Sequence, residues 1–344
     1  MHKHLLLIIV LLLLPALSLF PNDVKTIEFK FFLHDTDNEK YVISFPYCMA
    51  FDDEESIYIL DFKECCIMKF SEDGKYINTI GRKGRGPGEI TCPGYITVKD
   101  EKLYYIDFIN LINVYSLDGK LLGSESKKKT SADQKAFPEK LIVGLAYEKS
   151  ANSDLLKEWD WDGKEISVIN TISWDKYLKP SNNKYRISSI AASNIDINVF
   201  DIDSKGSVIF AESDRYEVFK WSDGKSNLII NENHRYKLLP NEKRKKNRLE
   251  KGKGIITFFI SNEYYPVISE VIADKEDNIW LVTNSRDRAG LAKYRNDGSF
   301  IAFYEVKPWY LIEGTRFYIS KKYIYCSIGS SEGYRFFRSE IPQE

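Results

Sequence analysis

The chain has 344 residues, a formal net charge of −1, 43 % hydrophobic and 14 % aromatic residues. That is enough for one large domain with a real core, and the 22 Tyr and 20 Phe favour strands. So balanced a charge gives no global field for nucleic acid or an anionic membrane surface.

At the start, His2, Lys3 and His4 precede an apolar run from Leu5 to Leu14, closed by Pro15 and the small residues of Ala16-Leu17-Ser18. The pattern predicts a signal peptide over residues 1–20 and an extracytoplasmic (periplasmic or secreted) protein. The run is short for a membrane span, and an uncleaved anchor is the minority reading. No membrane span is expected after cleavage. Next, Lys25–His34, "KTIEFKFFLH", reads as a strand with no hairpin partner beside it.

From Asp52 onward one unit repeats. An acidic turn leads into an apolar strand, as in "DDEESIYILD", "KDEKLYYID", "DSKGSVIFAE" and "DKEDNIWLVT". Further on comes an aromatic residue followed by Asp-Gly: "FSEDGK", "YSLDGK", "WDWDGK", "WSDGK" and "YRNDGS". Asp-Gly between β-rich runs marks a hairpin, and its glycine supplies the positive φ of a primed turn. The glycines are Gly74, Gly119, Gly163, Gly224 and Gly298; the first two intervals are 45 and 44 residues and the next two are 61 and 74. Four-stranded units at this period indicate an all-β propeller whose blades stack around an axis. The expected blades are 46–90, 91–130, 137–175, 197–235, 264–306 and 309–341, all within one domain, 21–344. Six is preferred over five or seven. The last blade has no Asp-Gly turn, so strand 25–34 is expected to complete it and close the ring.

Between the first two blades lies "GRKGRGPG", Gly81–Gly88. A nucleotide-binding glycine loop needs a helix after it, and here Pro93 and "YITV" follow. The stretch reads as a blade-to-blade connector. Two insertions interrupt the later repeats. One lies around 176–193, and "LPNEKRKKNRLEKGKG", 239–254, predicts a short solvated helix.

"GRKGRGPGEITCPG" followed by "ITVKDEKLYYIDFINLINVYSLDG" resembles the repeat of NHL-type propellers. The chain is similar to six-bladed, TolB-like propeller proteins exported by bacteria. The resemblance implies the fold over nearly all of the chain after the signal and leaves the activity open, since propellers of this shape serve as enzymes, sensors and scaffolds.

Connectors and the loops between second and third strands share one face of such a ring, around the mouth of its channel. The candidate binding residues on that face are Arg82, Lys83, Arg85, Asp61, Asp107, Asp214, Arg215, Arg286 and Arg288. Catalytic and metal-binding residues are assigned to none. After the signal, His34 and His234 are the only histidines, and no Gly-x-Ser-x-Gly elbow occurs. "DIDSKG", Asp201–Gly206, opens like a calcium loop but lacks the later ligands. The expectation is a monomeric, non-enzymatic binding or scaffold module for a protein, peptide or glycan, with no cofactor. The alternative is a calcium-dependent hydrolase or lactonase of similar shape, with Ca²⁺ at the axis. Five cysteines, Cys48, Cys65, Cys66, Cys92 and Cys326, leave at least one thiol unpaired within the chain, and an oxidising compartment allows one bridge. A vicinal Cys65–Cys66 redox pair is a third reading.

Overall fold

The computed structural model describes residues 24–34, 41–91, 93–107, 111–126, 133–148, 153–173, 198–212, 216–232, 268–284, 289–307, 316–330 and 333–342. The predicted signal peptide, both insertions and the predicted helix at 239–254 lie outside these residues.

The chain begins with β1 (Lys25–Glu28) and β2 (Lys30–His34). Blade 1 follows as β3 (Pro46–Phe51), β4 (Ile57–Asp61), β5 (Cys66–Phe70) and β6 (Tyr76–Ile80). Blade 2 is β7 (Pro93–Lys99), β8 (Lys102–Asp107), β9 (Leu111–Ser116) and β10 (Leu121–Ser126). Blade 3 is β11 (Asp133–Phe137), β12 (Leu141–Glu148), β13 (Ser153–Asp160) and β14 (Glu165–Ser173). Blade 4 comprises β15 (Asn198–Ile202), β16 (Val208–Glu212), β17 (Tyr216–Ser222) and β18 (Lys225–Glu232). Blade 5 comprises β19 (Ile268–Ala273), β20 (Ile279–Asn284), β21 (Ala289–Tyr294) and β22 (Phe300–Lys307). In blade 6, β23 (Arg316–Ile319), β24 (Tyr323–Ser330) and β25 (Gly333–Glu340) take β2 as their outer strand. The fold is a six-bladed propeller of antiparallel four-stranded sheets.

Two details differ from the sequence reading. The closing segment is two strands, split at Phe29: β1 adds in parallel to the outer edge of β22, and β2 pairs antiparallel with β25. Blade 3 opens at Asp133 rather than 137: its first strand, "DQKAF", starts with three polar residues and reaches the core only at Ala136 and Phe137.

The acidic turns are built alike. Asp52 Oδ1 accepts the amides of Glu54 (3.1 Å) and Ser56 (2.8 Å), and Asp274 Oδ1 those of Glu276 (2.9 Å) and Asn278 (2.8 Å). The second oxygen takes a donor from the next strand, Tyr58 Oη at 3.0 Å or Trp280 Nε1 at 2.8 Å. In blade 4, Asp203 makes the same turn and pairs with Lys220 Nζ at 2.9 Å. Each Asp thus satisfies amides that would otherwise be buried without partners.

Among the Asp-Gly turns, only Asp223-Gly224 has both residues at positive φ (52° and 73°), the primed form expected for all five. In "FSEDGK" and its relatives one more residue separates the aromatic from Asp-Gly. There the glycine alone is left-handed, and its amide bonds back three residues, as Gly74 to Ser71 at 2.9 Å. That is a type I turn with a glycine bulge.

Candidate functional site at the channel mouth

The first strand of every blade faces the axis, and neighbouring first strands touch around the ring. Their side chains pair from blade to blade. Lys135 Nζ lies 3.0 Å from Asp201 Oδ1, and the other Asp201 oxygen accepts the Ala273 amide at 2.9 Å. Glu270 accepts the Phe317 amide at 2.9 Å, while Arg316 Nη1 and Tyr318 Oη both donate to Tyr47 O at 3.2 Å. Burial pushes the Cys48 thiol up, against the opposing pull of its hydrogen bond to Ile96 and of Arg316 and Lys135. Burial likewise pushes up the phenols of Tyr95 and Tyr318. These groups are held neutral or paired, which suits a rigid lining and does not provide an activated nucleophile. Among the described residues no three His, Cys, Asp or Glu side chains converge in a metal-binding arrangement.

Asp61 and Asp107 stand at the ends of second strands on the mouth face, and both are buried. Asp61 Oδ1 accepts the amides of Lys63 (2.9 Å) and Glu64 (2.8 Å); Oδ2 accepts those of Ser44 (2.7 Å) and Phe45 (2.8 Å). Asp107 Oδ1 accepts the Leu111 amide at 2.7 Å. Asp61 thereby shapes the rim loop that follows it.

Arg82, Lys83 and Arg85 are exposed together on the connector between β6 and β7. This connector adjoins the Asp61 loop through a contact of Cys65 Sγ with Thr91 O at 3.9 Å. Arg82 forms an ion pair with Glu89, Nη2 to Oε1 at 2.9 Å. The other Glu89 oxygen accepts the Gly86 amide at 2.8 Å. A Cβ on Gly84 would stand 2.0 Å from Glu89 Oε2, so the glycines make room for this carboxylate. The Gly86 amide and Arg82 hold Glu89 below the usual carboxylate range. The loop wraps an anion, and the anion is its own glutamate. Asp214, Arg215, Arg286 and Arg288 lie outside the described residues.

The same rim carries an aromatic cluster that the sequence reading did not single out. Phe45 is 46 % exposed and Phe62 is 40 % exposed, with ring centroids 5.8 Å apart. Tyr47 adjoins Phe62 at 5.8 Å, Tyr334 adjoins Phe45 at 6.2 Å, and the Arg316 guanidinium lies 5.1 Å over Tyr47. Beside the rings, Ser44 Oγ donates to Glu64 Oε1 at 2.5 Å. The available signal was the phenylalanine directly after each loop aspartate, Asp61-Phe62 and Asp107-Phe108.

A family model described as "6-bladed beta-propeller" matches residues 24–281. The chain belongs to this family, DUF5128. Among solved structures, the DUF5128 chain is similar to a candidate exported protein of Bacteroides fragilis, with 12 % identity, 92 % of this chain and 96 % of that chain covered, and a TM-score of 0.56. It is also similar to a gluconolactonase of Xanthomonas campestris (9 % identity, 87 % and 86 % covered, TM-score 0.43). A third is the calcium-binding protein regucalcin of Agrobacterium tumefaciens (11 % identity, 94 % and 98 % covered, TM-score 0.46). The likeness to the Bacteroides protein reflects a shared propeller fold and establishes no activity for the DUF5128 chain. No curated protein matches it significantly. Among its described residues no helix is long and apolar enough to cross a membrane.

Proposed function

We propose that this propeller is an extracytoplasmic, non-enzymatic binding module that takes a protein, peptide or glycan at its channel-mouth face. One observation carries the reading: Phe45 and Phe62 expose their rings side by side on that rim. Exposing large rings costs free energy unless a ligand covers them. Aromatic faces beside the Arg316 guanidinium and the Ser44–Glu64 pair suit a ligand with both an apolar face and hydrogen-bonding edges. The exposed Arg82, Lys83 and Arg85 extend the surface and would act mainly on encounter rate.

The test is to screen the purified chain on glycan and peptide arrays and repeat each positive with Phe45→Ala/Phe62→Ala. Binding should be lost in that variant, weaken in Arg82→Glu/Arg85→Glu at low salt, and survive chelation. Binding that persists undiminished in the phenylalanine variant refutes this site. A hydrolytic activity abolished by chelation would instead support the calcium-dependent hydrolase.

A further inference from the structure

Around the rings of the channel mouth, the carboxylates are engaged within the protein and several cations are not. Asp61 accepts four backbone amides. Glu64 accepts the Ser44 hydroxyl, and Glu89 accepts Arg82 and the Gly86 amide. Lys63, Lys83 and Arg85 are exposed, and among the described residues their side chains have no hydrogen-bond or ion-pair partner. The whole chain carries a formal charge of only −1, so these free cations are a local feature of this rim.

The cations stand beside the rings. Lys63 directly follows Phe62 in the loop after β4. Cys65 joins that loop to the connector: its Sγ lies 3.4 Å from Phe62 O and 3.9 Å from Thr91 O. Thr91 Oγ1 in turn donates at 2.5 Å to Gly84 O, between Lys83 and Arg85. Burial pushes the Cys65 thiol up and the Lys83 ammonium pulls against it, which sets that charge near the same loop. The rings themselves form notches rather than one flat platform, since Phe45 meets Phe62 at 68° and Tyr334 at 82°. A notch receives an inserted side chain, whereas a sugar ring lies on a flat face.

We propose that the channel mouth takes an acidic peptide segment of a partner protein, with one apolar side chain seated against Phe45 and Phe62 and flanking carboxylates on Lys63, Lys83 and Arg85. This rests on the binding role proposed above and narrows its ligand to one class. The rings anchor the segment, and the free cations select its charge and orient it. Glu64 keeps its own charge at the rim, so carboxylates spaced around an apolar group fit better than a bare polyanion. A cationic ligand is disfavoured because the Arg316 guanidinium already lies 5.1 Å over Tyr47.

The test titrates the full chain into capped, rhodamine-labelled peptides at low salt and reads fluorescence anisotropy. Asp-Glu-Ser-Phe-Ser-Asp-Glu should saturate. Its neutral counterpart, Asn-Gln-Ser-Phe-Ser-Asn-Gln, and its anchorless counterpart, Asp-Glu-Ser-Gly-Ser-Asp-Glu, should each bind about tenfold more weakly or worse. Phe45→Ala/Phe62→Ala should weaken the first peptide about tenfold or more. Lys63→Glu/Lys83→Glu should do the same and leave the neutral peptide unaffected, and as an exposed change it keeps the fold. The proposal is overturned if the neutral peptide, the anchorless peptide or a basic one, Lys-Arg-Ser-Phe-Ser-Lys-Arg, binds as tightly as the first. It is overturned too if no peptide saturates at millimolar concentration. After any of these failures, array binding that is still lost in Phe45→Ala/Phe62→Ala leaves the broader binding role standing, and its absence removes both.

Discussion

Glu55 of blade 1 and Ser320 of blade 6 join across the seam that closes the ring. The Ser320 hydroxyl donates to one Glu55 oxygen, and the other accepts the Lys321 amide at 3.1 Å. The same latch recurs between Asp277 of blade 5 and Ser204 of blade 4, whose amide and hydroxyl each donate at 2.8 Å. A third acid, Glu139 of blade 3, reaches back to Tyr104 Oη of blade 2 at 2.7 Å. All three acids are left-handed, at φ 63°, 64° and 61°. Side chains at such positions are strained unless other contacts compensate, and here the compensation is the interblade bond.

Glu55→Ala should therefore lower unfolding stability by about 2–3 kcal/mol, since buried Ser320 loses a charged partner while the left-handed backbone stays. Glu55→Gly loses the same bond without the backbone strain and should be milder by about 1 kcal/mol. Urea unfolding of the three proteins checks both the size and the order.

Asp61→Ala removes the acceptor of four backbone amides and should cost more than about 3 kcal/mol. Arg85→Ala, at an exposed connector position, should stay within about 0.5 kcal/mol of the parent. Thermal unfolding separates the rim residues that build the face from those that merely stand on it.

Burial alone would raise Asp203, but its bonds to Lys220, the Ser207 amide and Asn296 outweigh it and hold the carboxyl below its usual range. A carboxyl depressed in the folded state contributes stability that is complete above its unfolded value, near ~3.9, and fades as pH falls through the lower folded value. Asp203→Asn should be less stable at neutral pH and lose less on acidification below about pH 4. A parallel acid slope in both proteins would contradict the assignment.

The thiols of Cys48, Cys65, Cys66 and Cys326 are free and buried. Burial pushes Cys66 up to about 12, and the other three also upward. Iodoacetamide at about pH 8 should leave all four largely unmodified in the native protein and label them after unfolding. Peptide mapping that found rapid native labelling at Cys65 or Cys66 would revive a redox role for the pair.

Glu89→Ala should loosen the glycine connector. The Gly86 amide loses its carboxylate acceptor and Arg82 its ion-pair partner. Hydrogen exchange over Gly84–Gly88 should quicken, while inorganic phosphate added to the parent protein should leave those amides unchanged because Glu89 already fills the cradle.

The ring was legible because its turns are chemical. Asp-Gly favours a tight turn whose glycine is left-handed, as all five are, and five copies at related spacing indicate a repeat. The finer turn type was not: all five were read as primed, and only Asp223-Gly224, in the repeat one residue shorter, "WSDGK", is. Lys135 escaped notice because "DQKAF" opens with three polar residues and shows no apolar alternation. Phe45 and Phe62 escaped for another reason. A phenylalanine beside a strand reads as core, whereas these two rings stand exposed on the rim.

Residues 25–28 pair with 304–307, and residues 30–34 with 335–338. The first strands of the chain therefore have no sheet to join until the last two blades exist, and each belongs to a different one. Closing the ring draws together segments about 280 to 310 residues apart, the kind of long-range step that makes β-rich chains slow to fold. Until then the edges of β22 and β25 are open templates for another chain. The vulnerable moment for this protein is the interval between finishing its last blade and recapturing its first strands. A chaperone that occupied either edge during that interval would decide between a closed ring and an aggregate.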